Sequence, residues 1–271
     1  MNTNAINDEI ILKHYEKVAQ SQGLSSSSSI QDPFIRDAEI EFFLKSLKLY
    51  GVKKGRYNFS VLDIGCGNGI LLSKIREKFP NLELHGMEFS PDLLNLANSR
   101  GLNNVDFYRG DARDANDFSK KFDVIISERS VINILDAKEQ KIALYNIADS
   151  LYDNGMYFQS ESYFEPLVNL NRARREMQLK NIEPSIHNRF LREFNVLALR
   201  DHKGMDEIES IMPKNYLSSH FFVSRVLHQL IRPEGGKVKY SHLVNFMVEG
   251  FGPAIGNYSP ILFRSFQKRK I

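Results

Sequence analysis

The chain has 271 residues, of which 42% are hydrophobic and 25% are charged, and its formal net charge is +3. This composition is typical of a globular protein that can bury a sizeable core without a disulfide or a metal. Cys66 is the only cysteine and no Cys/His cluster has metal-site spacing, so neither a disulfide nor a metal is expected. The N-terminus lacks the pattern of a secretion signal, and no apolar run approaches the roughly 20 residues that span a bilayer. These features predict a cytoplasmic protein without a membrane partner.

Two helices are expected before the first strand. Apolar residues recur on one face of residues 6–20, namely Ile10, Ile11, Tyr15, Val18 and Ala19. A serine-rich flexible connection, 23–29, is expected to follow this helix. The second helix is expected over 33–49, because Asp32 can cap it and Pro33 suits the first helical position.

From residue 59 the pattern changes to short apolar runs that alternate with amphipathic stretches. The expected strands are SVLDIG, LELHGME, VDFYRG, FDVIIS and MYFQSES, in that order. Strands that alternate with helices of this length predict a parallel sheet with helices on both faces. Two later runs, SHFFVSRVL and SPILFRSF, are expected to be the final strands. The predicted fold is therefore α/β, with a doubly wound, mostly parallel sheet of seven strands.

The sequence predicts four regions around this sheet. Residues 1–56 form N-terminal helices that close over a ligand, and residues 57–162 form the core that binds it. Residues 163–214 have a mainly helical pattern, and we expect a cap there because ligands bind outside the carboxyl ends of the strands in open α/β sheets. Residues 215–271 hold the final strands, with a second insertion at 224–257.

A glycine-rich loop after the first strand carries the strongest functional signal. Asp63, Gly65, Gly67 and Gly69 form the pattern D-x-G-x-G-x-G. Glycines at such a turn let the backbone approach a ligand closely. A dinucleotide fingerprint requires glycine or alanine at the position of Ile70, so a nicotinamide-dependent oxidoreductase is disfavoured. The loop resembles that of class I methyltransferases, which have a Rossmann-like fold and use S-adenosylmethionine.

Acidic residues follow at the ends of successive strands, in the order found in that family. Glu88 ends the second strand, nineteen residues after Gly69, where an acid can accept both ribose hydroxyls of a nucleotide. The resemblance implies that Asp111 reads the adenine amino group. It also implies that Ser127 and Glu128 border the methionine part of the ligand. S-adenosylmethionine is therefore the expected cofactor.

The full set of expected cofactor-binding residues combines the loop, the strand ends and two N-terminal residues. It comprises Tyr15, Arg36, Asp63, Gly65, Cys66, Gly67, Glu88, Phe89, Asp111, Ala112, Ser127 and Glu128. Tyr15 and Arg36 are expected to close over the cofactor and hold its methionine carboxylate. Cys66 is expected to be a small residue of the turn, because no assigned neighbour would lower the pKa of its thiol.

Outside the core, several segments resemble a bacterial branch of the same superfamily. They are IQDPFIRDAEIEF, SERSVINILDAKEQKIALYNI, LVNLNRAR, the pair His187-Asn188, FFVSRVL and NYSP. This resemblance implies a small-molecule acceptor, in surface-carbohydrate or natural-product biosynthesis. Transfer to an oxygen atom of that acceptor is the favoured reaction.

Methyl transfer to a hydroxyl oxygen requires a proton acceptor. His187 is the first candidate because its unperturbed pKa lies near neutrality, although a structural histidine is the alternative. Glu161, at the end of the fifth strand, is the second candidate, and Asn188 is expected beside the acceptor. The candidates for binding an acidic group of the acceptor are Arg129, Arg172 and Arg225, with surface salt bridges as the alternative.

Two other functions stay open. A nucleic-acid methyltransferase acting on tRNA or rRNA would usually show a broad basic face, whereas the basic cluster at 264–270 is short. No nucleic-acid partner is therefore expected. A protein that binds S-adenosylmethionine without catalysis is also compatible with the loop and the acids, because binding residues do not establish turnover.

Overall fold

The computed structural model describes residues 3–25, 30–232 and 241–270. The strands are β1 Ser60–Ile64, β2 Glu83–Glu88, β3 Val105–Arg109, β4 Phe122–Glu128, β5 Leu151–Ser162, β6 Met205–Ile208 and β7 Ile261–Lys268. They form one seven-stranded sheet in the order β3-β2-β1-β4-β5-β7-β6. The first five strands are parallel, and β7 runs antiparallel to both β5 and β6. The predicted doubly wound, mostly parallel sheet is confirmed.

Helices precede, connect and follow these strands. The helices are α1 Thr3–Gln22, α2 Pro33–Lys54, α3 Ile70–Lys78, α4 Pro91–Ser99, α5 Ala137–Asp149, α6 Phe164–Glu176, α7 Glu193–Lys203, α8 Ser218–Phe222, α9 His228–Ile231 and α10 His242–Phe251. A π-helical turn, Val223–Leu227, joins α8 to α9. None of the helices in the described part of the chain is both long and apolar enough to cross a membrane.

The sheet is covered on both faces. Every residue of β1 is buried, as expected for a central strand of a parallel sheet. Val61 packs in one hydrophobic core with Phe42 and Phe43 of α2. Its neighbour Leu62 packs in the other core with Leu144 of α5. Because alternate side chains of a strand point to opposite faces, α2 and α5 lie on opposite sides of the sheet.

The sixth strand does not lie where the sequence predicts it. SHFFVSRVL forms α8 and the π-helical turn, so its prediction as a strand is wrong. The observed β6 lies within 163–214, the region predicted to be a cap. Phe221 and Val226 are buried in the same core as α2, and a short apolar run does not distinguish a strand from a buried helix. SPILFRSF is confirmed as β7, and α6 and α7 supply helices of the predicted cap.

The two predicted N-terminal helices are confirmed, although α2 extends further than predicted and ends at Gly55, whose φ is +65°. Asp32 occupies the N-cap position of α2, but its carboxylate makes no capping hydrogen bond and contacts His220 instead. Residues 26–29 of the predicted connection and 233–240 of the predicted second insertion lie outside the described residues. The boundaries of the four regions stay a prediction.

Candidate active site

A cavity opens at the carboxyl ends of β1, β2, β3 and β4, and α1 covers it. We call it the main cavity. The predicted site residues that line it are Tyr15, Gly65, Gly67, Glu88, Phe89, Asp111, Ala112, Glu128 and Arg129. Other lining residues, which the sequence did not single out, include Asp8, Asn68, Arg113, Ser130 and Asn133. The fold thus brings strand ends that are far apart in sequence to one site.

The glycine loop forms one wall of the main cavity. Gly65, Gly67 and Gly69 all have left-handed backbone conformations, with φ of +67°, +58° and +76°. The N–H groups of Gly65 and Cys66 donate to the Met87 carbonyl oxygen at 2.8 and 3.1 Å, so the loop is fixed against β2. A Cβ atom added at Gly67 would meet no atom within 4 Å. The backbone at Gly67 therefore faces open space that a ligand can occupy.

Glu88 places a buried carboxylate at the end of β2. Its Oε2 accepts the Gly67 N–H and its Oε1 accepts the Ser90 N–H, each at 2.8 Å. Burial raises the pKa of Glu88, and these hydrogen bonds act in the opposite direction. An ionised carboxylate has about four acceptor positions, so these backbone donors leave part of its capacity for a neighbouring hydroxyl donor. This arrangement fits the ribose of S-adenosylmethionine.

The acid at the end of β3 belongs to an ionic cluster that the sequence analysis missed. Arg113 donates from Nε to both oxygens of Asp111 at 2.9 Å. Its Nη1 donates to Asp8 of α1 at 2.9 Å and to Glu139 of α5 at 2.8 Å. The guanidinium also lies 5.5 Å from the centre of the Phe89 ring. The cluster therefore fixes Asp111 and attaches α1 to the cavity wall.

Tyr15 supplies a second attachment of α1 over the cavity. Its hydroxyl and the side chain of Asn133, beyond β4, form a hydrogen bond of 2.8 Å. Burial raises the pKa of Tyr15, so the phenol is neutral. Ile11 and Val18 of the same helix line the cavity as well. The helix predicted to close over the ligand does lie over the cavity.

Arg129 follows β4 in an unusual conformation. Its φ is +52°, a region that residues other than glycine seldom adopt and that often marks a functional site. Nε donates to Glu39 of α2 and Nη2 donates to Glu128, both at 2.9 Å. Glu39 is fully buried and also accepts the Ser160 hydroxyl at 2.7 Å. Burial raises the pKa of Glu39 to about 7, although Arg129 opposes this shift.

Glu161 lies beneath the loop that follows β4, and it does not line the main cavity. Its side chain is fully buried, and its carboxylate accepts the N–H groups of Ser130, Val131 and Ile132 at 3.1 to 3.3 Å. Burial raises the pKa of Glu161 to about 7, while these hydrogen bonds oppose the shift. Because Ser130 and Val131 line the cavity, Glu161 shapes its wall from behind.

His187 lies beside α1 and is not among the residues that line the main cavity. Its ring stacks on His14, with centroids 3.6 Å apart and planes 15° apart. Burial, and the charge of His14, lower the pKa of His187 to about 4, so the imidazole is neutral at pH 7. The next residue, Asn188, donates its backbone N–H to Ser185, and Arg189 donates its own to Ile132. The segment is therefore anchored to the loop that follows β4.

The remaining predicted residues lie apart from the cavity surface. Asp63, Cys66 and Ser127 are buried and do not line it. Burial raises the pKa of the Asp63 carboxyl and of the Cys66 thiol. Arg36 is buried in α2 and donates to the Ile30 carbonyl oxygen.

Two arginines predicted to bind the acceptor lie in other depressions. Arg172 of α6 lines a shallow one together with Glu176. Arg225 of the π-helical turn lines a polar cleft beside Asp32. Within the described residues, no group of three or more His, Cys, Asp or Glu side chains is arranged to hold a metal ion.

Comparison with known proteins adds an independent line of observation. Residues 61–155 match the family model of a methyltransferase domain. Malonyl-[acyl-carrier protein] O-methyltransferase 1 of Ilyobacter polytropus is 27% identical over 60% of this chain and 62% of its own length. Aklanonic acid methyltransferase of a Streptomyces species is 30% identical over 50% of this chain and 61% of its own length. The chain thus spans less than two thirds of either relative.

Two solved structures share the fold over almost the whole chain. Magnesium protoporphyrin IX methyltransferase from Synechocystis, with bound S-adenosylhomocysteine, has a TM-score of 0.56 and 12% identity, covering 98% of this chain and 97% of its own. The N-methyltransferase NodS from Bradyrhizobium japonicum, also bound to S-adenosylhomocysteine, has a TM-score of 0.55 and 12% identity, covering 95% of this chain and 99% of its own. At this identity the likeness concerns the fold.

The sheet order, the glycine loop and the acid at the end of β2 define a Rossmann-like fold of the methyltransferase type. Residues 61–155, which match the methyltransferase domain, contain this loop and this acid. The fold predicted from the sequence is confirmed, and the matched domain agrees with the predicted class of methyltransferase and its predicted cofactor, S-adenosylmethionine.

Proposed function

We propose that this enzyme transfers the methyl group of S-adenosylmethionine to an oxygen atom of a small-molecule acceptor, in the cytoplasm. The observation that carries the proposal is the covered main cavity, with α1 tied across it through Tyr15 and Arg113. Such a covered site favours a small acceptor over a folded nucleic acid. Two relatives are named as a malonyl-[acyl-carrier protein] O-methyltransferase and an aklanonic acid methyltransferase, which supports an acidic, oxygen-bearing acceptor.

We further propose that the accepting oxygen belongs to a carboxylate. A carboxylate is already ionised at neutral pH and needs no proton acceptor, whereas a hydroxyl does. Neither His187 nor Glu161, the two candidate bases, lines the main cavity. Glu161 already accepts three backbone N–H groups. Positioning alone can supply a large part of the rate for such an acceptor.

The residues of the chain would divide the work of binding and orientation. When bound, S-adenosylmethionine supplies an electrophilic methyl group. Glu88 and the backbone at Gly67 would hold the ribose, and Asp111 would hold the adenine. Arg129 would present its guanidinium at the end of β4, where Glu39 and Glu128 fix it. The covering helix would exclude water, which strengthens these polar contacts.

Transfer of a labelled methyl group tests the proposal. The purified protein is incubated with S-adenosyl-[methyl-³H]methionine and, separately, with sets of carboxylic acids, alcohols and amines and with tRNA and rRNA. We expect label in carboxylic acids, released as methanol by mild base because methyl esters hydrolyse. Base-stable label in alcohols would place transfer at a hydroxyl, and label in tRNA or rRNA alone would contradict a small-molecule acceptor.

A further inference from the structure

A second concave site, the polar cleft, lies between the start of α2, the π-helical turn and the start of α10. It shares no lining residue with the main cavity. A π-helical turn is a rare form that frequently occurs at functional sites. Here it places Ser224 and Arg225 on the cleft wall, where Arg225 contacts Asp32.

Three of the residues that line the cleft, Asp32, His220 and Arg225, form a hydrogen-bonded trio. His220 is only 3% exposed, and its Nε2 lies 2.9 Å from Oδ2 of Asp32. Arg225 reaches the same oxygen at 3.4 Å. Burial would raise the pKa of Asp32, but the hydrogen bonds from His220 and Arg225 outweigh it and lower that pKa. The ionised Asp32 therefore offsets the charge of Arg225, which disfavours a simple anion site.

One polar atom of His220, Nδ1, is buried without a hydrogen-bond partner among the described residues. This atom is closed to solvent, so a ligand in the cleft would contact the more exposed groups of the wall instead. The ring of His220 is held by stacking on Phe34, with centroids 4.4 Å apart. The ring is thus held in place beside Asp32.

The rest of the cleft offers both donors and acceptors at its wall. Asp37 can accept, and the amides of Gln229 and Asn245 can each donate and accept. Pro33 and Val244 add apolar surface between these groups. Hydroxyl groups on a carbon ring match such a surface, because each hydroxyl both donates and accepts while the ring carbons contact apolar atoms.

We propose that the polar cleft binds a hydroxylated, sugar-like group, with Asp37, Gln229 and Asn245 as its hydrogen-bonding partners. The inference rests on the proposed function only in taking this group to be part of the acceptor. Binding can be measured without methyl transfer, so a failure of one does not entail a failure of the other.

Ligand-observed NMR on the full chain tests the site, with methyl α-D-glucopyranoside as the probe. We expect saturation transfer and a millimolar dissociation constant. Asp37→Asn should weaken binding about tenfold, because hydrogen bonds to charged groups are the stronger ones. Asn245→Ala, a second and independent variant, should weaken it too. Asp201→Asn, an exposed acid on α7, is the matched control and should bind as wild type does.

Other probes decide between ligand chemistries. Inorganic phosphate and malonate are titrated in the same way. Binding of either anion without binding of the glycoside would overturn the proposal, as would equal affinity of wild type and both cleft variants. Binding of free glucose but not of its methyl glycoside would show that the cleft takes a free sugar rather than a glycosyl group of a larger molecule.

Discussion

Arg113 links the N-terminal helix to the end of β3: its Nη1 lies 2.9 Å from Asp8 of α1, while its Nε contacts Asp111. One side chain therefore holds both the acid proposed to read adenine and the helix that covers the cavity. The third partner of Arg113 is Glu139 of α5. The side chains of Arg113 and of its three acidic partners are all at least two-thirds buried. Such a network is worth more than an exposed ion pair.

Arg113→Gln should weaken binding of S-adenosylhomocysteine about tenfold or more, because it releases Asp111 and α1 together. It should also reduce the preference for S-adenosylhomocysteine over its inosine analogue, which lacks the adenine amino group. Asp8→Asn is the control, since it disturbs only the contact with α1 and should keep that preference. Calorimetric titration of both ligands measures the two effects. An unchanged preference in Arg113→Gln would show that Arg113 does not position Asp111.

Glu88 should matter for both cofactor binding and stability. Glu88→Ala removes the acceptor of the Gly67 and Ser90 N–H groups, besides the proposed ribose contacts. We expect cofactor affinity to fall by about 1.5–3 kcal/mol, and the melting temperature to fall as well. Glu88→Gln keeps one carbonyl acceptor and should lose less stability. Calorimetry measures the cofactor affinity and thermal melting measures the stability. Unchanged cofactor affinity in both variants would show that Glu88 does not bind the cofactor.

His187→Ala should leave turnover within about tenfold of wild type, because the residue does not line the main cavity. A general base would contribute about 10²–10⁴-fold. Steady-state rates are measured with a carboxylic acid that the labelling experiment identifies, and the affinity for S-adenosylhomocysteine is measured by calorimetry. A loss beyond 10²-fold at normal affinity would restore His187 as the base.

Glu161 should make the protein less stable as pH rises. Its pKa is about 7 in the folded protein, against an ordinary value of 4.5. The folded state therefore binds more protons between these values, so the free energy of unfolding falls as pH rises from 4.5 to 7. The Glu161→Gln variant should not show this part of the pH dependence of the free energy of unfolding. Urea unfolding of both proteins from about pH 5 to pH 8 gives the difference, and parallel curves would show that Glu161 is ionised throughout.

The sequence predicted the sheet well because its first five strands are short apolar runs that are regularly separated by amphipathic helices. The prediction was wrong at SHFFVSRVL, which is buried because it packs in the same core as α2. A short apolar run of this kind has the same pattern in a buried strand and in a buried helix. Glu88 and Gly67 could be predicted because they lie at fixed places after strands. Arg113 adjoined a predicted residue and could have been found.

Contacts between residues that are far apart in the sequence could not be predicted, because no local sequence pattern marks them. Glu39 meets Arg129 from ninety residues away, and Asp8 meets Arg113 from 105 residues away. Residue type suggested His187 and Glu161 as bases, but only the fold shows that one stacks on His14 and the other supports a loop. Arg225 looked suited to an acid, yet Asp32 already pairs with it.

Calorimetric titration of the full chain with S-adenosylhomocysteine, and separately with NADH, tests the central claim most directly. We expect saturable binding of S-adenosylhomocysteine that is weakened by Glu88→Ala, and no binding of NADH. Binding of NADH without binding of S-adenosylhomocysteine or S-adenosylmethionine would contradict it.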